Sequence, residues 1–176
     1  MNPKIKKIKM VISDIDGVWT DGTFYKGSDG QEFKKFNIND GVGVAMARAA
    51  GYKIALVSGR FSPATKYRAK ELNIEDVYNG GLNKIHAYEE LKAKYNMIDS
   101  EIAYVGDDLI DIPVMVKVGF PIAVSNAIQD VKAMSIYTTK TAGGFGAFRE
   151  AISWLINEQG KMEEVLKLMK EKIMNS

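Results

Sequence analysis

The pattern that most constrains this fold is an alternation of short apolar runs with longer segments of helical periodicity. Strands are predicted at residues 8–13, 53–57, 76–78, 101–105, 121–124 and 135–138. Helices are predicted at residues 40–50, 62–72 and 82–95, after residue 108 to about 117, and briefly from about 127. Alternating strand and helix units of this length indicate α/β architecture: a parallel central sheet with helices on both faces, a Rossmann-like three-layer fold.

One segment interrupts the alternation directly after the first strand. Residues 22–36 predict two short strands around the turn sequence Gly27-Ser28-Asp29-Gly30, a β-hairpin insertion rich in aromatic residues. Because an isolated hairpin is only marginally stable in water, we expect it to pack against another part of the protein or against a second subunit.

The length and the remaining patterns predict one domain. The chain has 176 residues; residues 1–160 predict the α/β core, and residues 161–176 an amphipathic C-terminal helix of the same domain. No apolar run reaches the length of a membrane span, and Ser13 and Asp14 break the apolar run near the N-terminus. These features favour a cytoplasmic protein.

Composition restricts the possible chemistry. The chain has no cysteine and one histidine, which excludes disulfides, thiolate nucleophiles and histidine-rich metal centres. The net charge of +2 gives no basic field of the kind that binds nucleic acid. Catalysis would therefore depend on carboxylates, hydroxyls, lysine, arginine and bound metal.

The first predicted strand ends in a pair of carboxylates, Asp14 and Asp16. Reactive residues of an open parallel sheet lie at the carboxyl ends of its strands, so both are expected to face one crevice. Two like charges at such close range require a neutralising cation. Oxygen ligands without histidine or cysteine point to Mg²⁺.

Polar residues follow the second strand and begin the 82–95 helix. Ser58 and Gly59 can bind phosphate oxygens through a hydroxyl and backbone amides, and Arg60 adds a planar donor for phosphate or carboxylate. Lys84 could neutralise a phosphate and a nucleophile together. Each feature taken alone is also common turn or surface chemistry.

A second acidic cluster follows the strand at 101–105. It comprises Asp107, Asp108 and Asp111. We expect it to supply a further magnesium ligand and carboxylates that hold Lys84. A helix N-terminus also favours aspartate electrostatically, so this cluster has a purely structural explanation as well.

In order and spacing, these clusters resemble the haloacid dehalogenase superfamily over nearly the whole chain. The resemblance implies that Asp14 is the nucleophile and Asp16 the general acid/base. It implies that Ser58 binds phosphate, that Lys84 is the conserved-motif lysine, and that Mg²⁺ is held by Asp14, Asp107 and the backbone carbonyl of Asp16. The implied reaction is phosphoryl transfer through an aspartyl-phosphate.

The short spacings between the clusters leave no room for a cap domain. Asp-Gly-Val-Trp-Thr-Asp-Gly after the first strand and Gly-Gly-Phe-Gly-Ala-Phe-Arg-Glu at residues 143–150 resemble the capless phosphatases of 3-deoxy-D-manno-octulosonate 8-phosphate. That branch implies a role in lipopolysaccharide sugar biosynthesis, a homotetramer with active sites between subunits, and Arg60 paired with the substrate carboxylate or a sugar hydroxyl. The tail from residue 161 is longer than is typical of the branch.

Several alternatives remain open at this stage. A nine-carbon sugar-acid 9-phosphate is the main alternative substrate, although a glutamate tends to replace Arg60 in those relatives. A receiver-type signalling domain also combines acidic residues, a hydroxyl, a lysine and Mg²⁺, but its phospho-accepting aspartate lies on a later strand. A non-catalytic phosphosugar-binding module and a phosphomutase are further alternatives.

Overall fold

The computed structural model describes residues 5–175 and has the predicted three-layer α/β architecture. A six-stranded parallel sheet has the strand order β5-β4-β1-β6-β7-β8. Its strands are β1 (Met10–Ser13), β4 (Lys53–Ser58), β5 (Asp76–Asn79), β6 (Ile102–Gly106), β7 (Phe120–Ala123) and β8 (Tyr137–Thr138). The helices are α1 (Ile38–Ala49), α2 (Pro63–Glu71), α3 (Lys84–Tyr95), α4 (Ile112–Met115), α5 (Gln129–Met134), α6 (Ala147–Glu158) and α7 (Met162–Met174).

The central strands form because they are continuous apolar runs buried on both faces, as parallel strands require. Every residue of β1, β6 and β7 is buried. β1 lies between β4 and β6, with Ser13 level with Leu56 on one side and Val105 on the other. The predicted strand positions agree with these elements to within about two residues, a normal scatter for element ends.

Helices α1 and α6 pack closely on one face of the sheet. A Cβ added to Gly43 in α1 would lie 2.8 Å from the Cα of Arg149 in α6, so a larger residue there would push the helices apart. Asp40, fully buried in the first turn of α1, accepts a hydrogen bond from the Arg149 backbone amide at 3.0 Å and thereby caps α6. Trp19 and Phe148 fill the adjacent core with ring centroids 4.5 Å apart.

The predicted hairpin is present but short. β2 (Tyr25–Lys26) and β3 (Glu32–Phe33) form a separate antiparallel sheet in which Tyr25 pairs with Phe33. These two aromatic side chains are exposed, while Glu32 points inward to the loop after β4. The hairpin therefore has a charged inner side and an aromatic outer side.

Two helical regions differ from or extend the prediction. The helix expected after residue 108 is a 3-10 turn at Leu109–Asp111 followed by the single turn α4, because Pro113 cannot donate a helical hydrogen bond. At the C-terminus, α7 packs against α1 and α6 through the buried Val165. Within residues 5–175 no helix is both long and apolar enough to cross a membrane.

Candidate active site

The strand register brings the sequence-predicted residues to one edge of the sheet. β1, β4 and β6 are adjacent and parallel, so their carboxyl ends coincide. Asp14 directly follows β1 and donates its backbone amide to Val105 of β6 at 2.9 Å. Ser58 ends β4, and Asp107 follows β6. The residues that were expected to face one crevice therefore meet at this edge of the sheet.

A buried ion-pair network lies at the base of this crevice. Nζ of Lys84 lies 2.5 Å from Asp14 Oδ1 and 2.6 Å from Asp111 Oδ1, and the lysine side chain has no solvent exposure. The two carboxylates raise the pKa of Lys84 against the opposing effect of burial. Lys84 is thus a fixed positive charge beside Asp14, at the first position of α3, where Asn83 caps the helix.

Asp111 holds this lysine and organises the loop after β6. Its Oδ1 also accepts a hydrogen bond from the Tyr104 hydroxyl at 2.6 Å. Its Oδ2 accepts the backbone amides of Asp107 and Asp108 at 2.9 and 3.2 Å. Because both oxygens already have two donors, Asp111 is better suited to positioning than to binding a metal ion.

Asp107 differs from Asp111 in having a carboxylate oxygen that no donor contacts. It lies beside Asp14, and its Oδ1 is buried with no hydrogen-bond partner. Burial and the negative charge of Asp14 raise the pKa of Asp107, and burial likewise raises the pKa of Asp14. A buried carboxylate oxygen without a hydrogen-bond partner, next to a second carboxylate, fits a hard divalent cation such as Mg²⁺.

The loop after β1 must approach Asp107 closely. A Cβ at Gly17 would lie 1.9 Å from Asp107 Oδ2, and the residue has a φ of +97°, so glycine is required on both counts. The Asn126 side chain, which sequence reasoning did not identify, bridges this loop to a later one. It donates to the Gly17 carbonyl at 2.9 Å and accepts the Gly143 amide at 2.6 Å. The glycine-rich stretch near the end of the core therefore supports the site loop.

Asp108 follows β6 as expected, but it does not contact Lys84. Its exposed side chain accepts the backbone amide of Leu109 at 2.7 Å and caps the 3-10 turn, and it makes no ion pair with Lys84. The expectation that it helps to hold this lysine is therefore wrong. The helix-capping explanation of the acidic cluster applies to Asp108, whereas Asp111 does hold Lys84.

Ser58, Gly59 and Arg60 line the side of the crevice next to β1. The Ser58 hydroxyl is buried, donates to the Arg60 carbonyl at 2.9 Å and accepts its amide at 3.3 Å. A Cβ at Gly59 would lie 2.9 Å from Ile110 Cδ1, so a larger residue here would require the Ile110 side chain to shift.

The Arg60 guanidinium forms a two-point ion pair with Glu32 of the hairpin and stacks on the Phe24 ring at 4.0 Å. Its conformation is therefore fixed by the hairpin. This pairing partner was not predicted, because the hairpin's inward side cannot be read from a two-residue strand.

Asp16 lies nearer the opening of the site, with 30% of its side chain exposed. Nζ of Lys34 donates to Asp16 Oδ1 at 2.6 Å and approaches Thr65 Oγ1 at 3.4 Å. Lys34 follows β3 and was not identified from the sequence. The inner side of the hairpin thus contacts the first carboxylate pair.

The comparisons with known proteins agree with this fold. The family model of haloacid dehalogenase-like hydrolases matches residues 69–148. The 3-deoxy-D-manno-octulosonate 8-phosphate phosphatase KdsC of Escherichia coli K12 is 40% identical over 161 residues, covering 92% of this chain and 86% of the relative. The chain belongs to the haloacid dehalogenase-like hydrolases. Within them, it falls in the group that contains the 3-deoxy-D-manno-octulosonate 8-phosphate phosphatases.

Solved structures give the same grouping. The Yersinia pestis 3-deoxy-D-manno-octulosonate 8-phosphate phosphatase has a TM-score of 0.88 at 38% identity, covering 91% of this chain and 86% of the other. The Moraxella catarrhalis phosphatase, solved in complex with magnesium ion, phosphate ion and KDO, has a TM-score of 0.90 at 34% identity, covering 94% and 95%. The predicted fold class and family resemblance are confirmed.

Proposed function

We propose that this protein is a Mg²⁺-dependent phosphomonoesterase that hydrolyses 3-deoxy-D-manno-octulosonate 8-phosphate to 3-deoxy-D-manno-octulosonate and phosphate. The observation that carries the proposal is the buried Asp14–Lys84–Asp111 network beside the unpartnered oxygen of Asp107. A relative of this group has been solved with magnesium, phosphate and KDO. A non-catalytic binding module would not require a carboxylate placed as Asp16 is, near the site opening.

In the first step, Asp14 attacks phosphorus in line with the ester oxygen and forms an aspartyl-phosphate. Lys84 fixes the Asp14 carboxylate through Oδ1 and places a positive charge next to the bound phosphoryl oxygens. Asp16 in its acid form protonates the leaving alcohol. Ser58 and Gly59 offer a hydroxyl and a backbone amide to the phosphoryl oxygens.

In the second step, Asp16 acts as a base and takes a proton from the water that attacks the aspartyl-phosphate. Water attacks phosphorus, the bond to Asp14 breaks, and phosphate is released. The same carboxyl therefore serves both steps in opposite protonation states, which suits a residue at the opening, in reach of both alcohol and water.

Asp14, Asp107 and the backbone carbonyl of Asp16 would hold the magnesium ion in this scheme. When bound, the ion would neutralise the carboxylates and the phosphoryl group. The close approach of Gly17 to Asp107 keeps the β1 loop near these ligands. Asp111 would remain outside the coordination shell, because its oxygens are occupied by Lys84, Tyr104 and backbone amides.

Arg60 is the residue we assign to the carboxylate or a hydroxyl of the sugar acid. Its ion pair with Glu32 and its stacking on Phe24 hold it at the rim of the site. The ion pair with Glu32 uses one N–H of each terminal nitrogen, so the remaining N–H groups of the guanidinium are left for an oxygen of the substrate. A nine-carbon sugar-acid 9-phosphate remains the second candidate substrate, since it offers the same carboxylate.

We also propose a homotetramer in which a neighbouring subunit covers each active site. The exposed aromatic pair Tyr25 and Phe33 on the outer side of the hairpin supports this assembly, because a two-stranded sheet lacks a core of its own. The cytoplasmic location expected from the sequence stays a prediction.

The test is phosphate release by the purified protein with Mg²⁺. The eight-carbon substrate, a nine-carbon sugar-acid 9-phosphate and simple sugar phosphates are compared at equal concentration, with Asp14→Asn as the control. We expect preference for the eight-carbon ester, loss of activity in EDTA and loss in Asp14→Asn. Preference for another ester would overturn the substrate, whereas stable phosphorylation without turnover would favour a signalling domain.

A further inference from the structure

Lys34 is a buried lysine outside the strand-end clusters. Its side chain has no solvent exposure, although it lies on a short hairpin at the surface. Its Nζ is 2.6 Å from Asp16 Oδ1 and 3.4 Å from Thr65 Oγ1. Burial of an ammonium group is costly unless negative charge is near, and Lys34 is stabilised by its contact with Asp16 and by the nearby carboxylate of Glu32.

The contact is equally important for Asp16. A carboxylate that is 30% exposed would otherwise sample several rotamers at the opening of the site. The described residues provide it with one side-chain donor, the Lys34 ammonium group. Proton transfer requires a heavy-atom separation of about 3 Å and correct orientation. An Asp16 side chain held in one orientation therefore transfers protons faster than one that samples several.

The hairpin is anchored firmly enough to carry this role. Glu32, two residues before Lys34, forms the two-point ion pair with Arg60 and accepts the Ser62 hydroxyl at 2.8 Å. Residues two apart in a strand share a side, so Glu32 and Lys34 both face the site while Phe33 faces outward. Glu32 thus fixes the hairpin backbone from which Lys34 reaches Asp16.

We propose that Lys34 is a positioning residue for proton transfer: it holds Asp16 by Oδ1 and leaves Oδ2 to exchange protons with alcohol and water. This inference rests on the phosphatase function proposed above. As the P–O bond breaks, its electron pair goes to the leaving oxygen, which takes the proton from Asp16 Oδ2. In the second step the same oxygen takes a proton from the attacking water.

The experiment compares two classes of ester in Lys34→Met, Lys34→Arg and Lys35→Met. An alkyl phosphate has a poor leaving group that must be protonated, whereas p-nitrophenyl phosphate has a leaving group that departs as the anion. Lys35→Met is the matched control, since Lys35 is the next residue but is mostly exposed and pairs with Asp21 instead.

We expect Lys34→Met to lower kcat/KM for the alkyl ester about 100-fold, within the usual contribution of general acid catalysis, and kcat/KM for the aryl ester only about threefold. The ratio kcat/KM is compared because it reports the step in which the leaving group departs, whereas the later hydrolysis of the aspartyl-phosphate is common to both esters. Lys34→Arg should recover part of the alkyl activity, and Lys35→Met should leave the alkyl-to-aryl ratio unchanged. Equal losses on both esters, or no loss, would overturn the inference, because a structural or general binding role makes no distinction between leaving groups.

The alkyl-to-aryl ratio can be measured with any alkyl phosphate that the wild type hydrolyses, so rejection of the eight-carbon substrate leaves the test of Lys34 intact. A crystal structure of Lys34→Met gives a readout that does not depend on turnover. Asp16 should then occupy more than one rotamer. An Asp16 side chain that is single and unmoved would overturn the inference.

Discussion

Lys84 Nζ lies 2.5 Å from Asp14 Oδ1, with the lysine side chain fully buried and the aspartate almost so. A pair this close and this far from water is a fixed part of the site rather than a surface salt bridge. The second carboxylate of the network, Asp111, holds the lysine from the other side. The position of the proposed nucleophile therefore depends on a residue 70 positions away in the chain.

Replacing Lys84 with methionine should lower kcat by about 100-fold or more, because the phosphoryl oxygens and Asp14 would lose their fixed positive charge. The variant should also be less stable than the wild type, since two buried carboxylates would lose their cation. Phosphate release and thermal unfolding measure the two effects. Lys94→Met, which removes a lysine of the same helix that pairs with Asp76, is the control and should retain activity. Full activity in Lys84→Met would contradict the mechanism.

Removing the metal ion should lower the thermal stability of the protein, because Asp107 Oδ1 is buried and has no hydrogen-bond partner of its own. We therefore expect EDTA to lower the melting temperature of the wild type and Mg²⁺ to restore it. Asp107→Asn should lose this response and should melt in EDTA no lower than the wild type. The matched variant Asp108→Asn alters an exposed helix cap nearby and should keep the Mg²⁺ response. A normal response in Asp107→Asn would remove Asp107 from the ligand set.

The sequence predicted the sheet and the strand-end clusters well, because buried parallel strands are continuous apolar runs and their carboxyl ends must meet. It placed Asp14, Lys84 and Asp107 together for the same reason. It did not predict the contact of Lys34 with Asp16, which depends on how a hairpin folds back over the site across 18 residues. It also could not divide the acidic cluster into a lysine-holding Asp111 and a helix-capping Asp108, since both roles use the same residue type.

The outer side of the hairpin should control assembly. Phe33→Glu places a charge on the exposed aromatic pair with Tyr25, and we expect it to convert the proposed tetramer into smaller species in light scattering. Activity should fall with dissociation if a neighbouring subunit covers the site. Lys26→Glu alters an exposed residue of the same hairpin outside the aromatic pair and is the control. A monomeric wild type, or a tetrameric Phe33→Glu variant, would contradict the assembly that we propose.

Asp40 should make stability depend on pH in a direction opposite to that of most carboxylates. Burial raises its pKa from 3.8 to about 6, against the lowering effects of the α6 amides, Arg68 and Arg149. The folded protein therefore binds the proton more tightly than the unfolded chain, and the free energy of unfolding falls as pH rises from 3.8 to about 6. At 1.36 kcal/mol per pKa unit, the loss is on the order of 3 kcal/mol.

Asp40→Asn keeps an oxygen that can accept the Arg149 amide but cannot ionise, so this contribution should vanish in the variant. Relative to the wild type, the variant should therefore gain stability between pH 4 and pH 7, by the same order of magnitude. Denaturant unfolding at several pH values in EDTA measures the difference without a contribution from metal binding. If the free energies of unfolding of wild type and Asp40→Asn change with pH in parallel, the carboxyl group of Asp40 has the same pKa in the folded and unfolded states. The cap on α6 would then be a charged one, stabilised by the helix N-terminus and the two arginines.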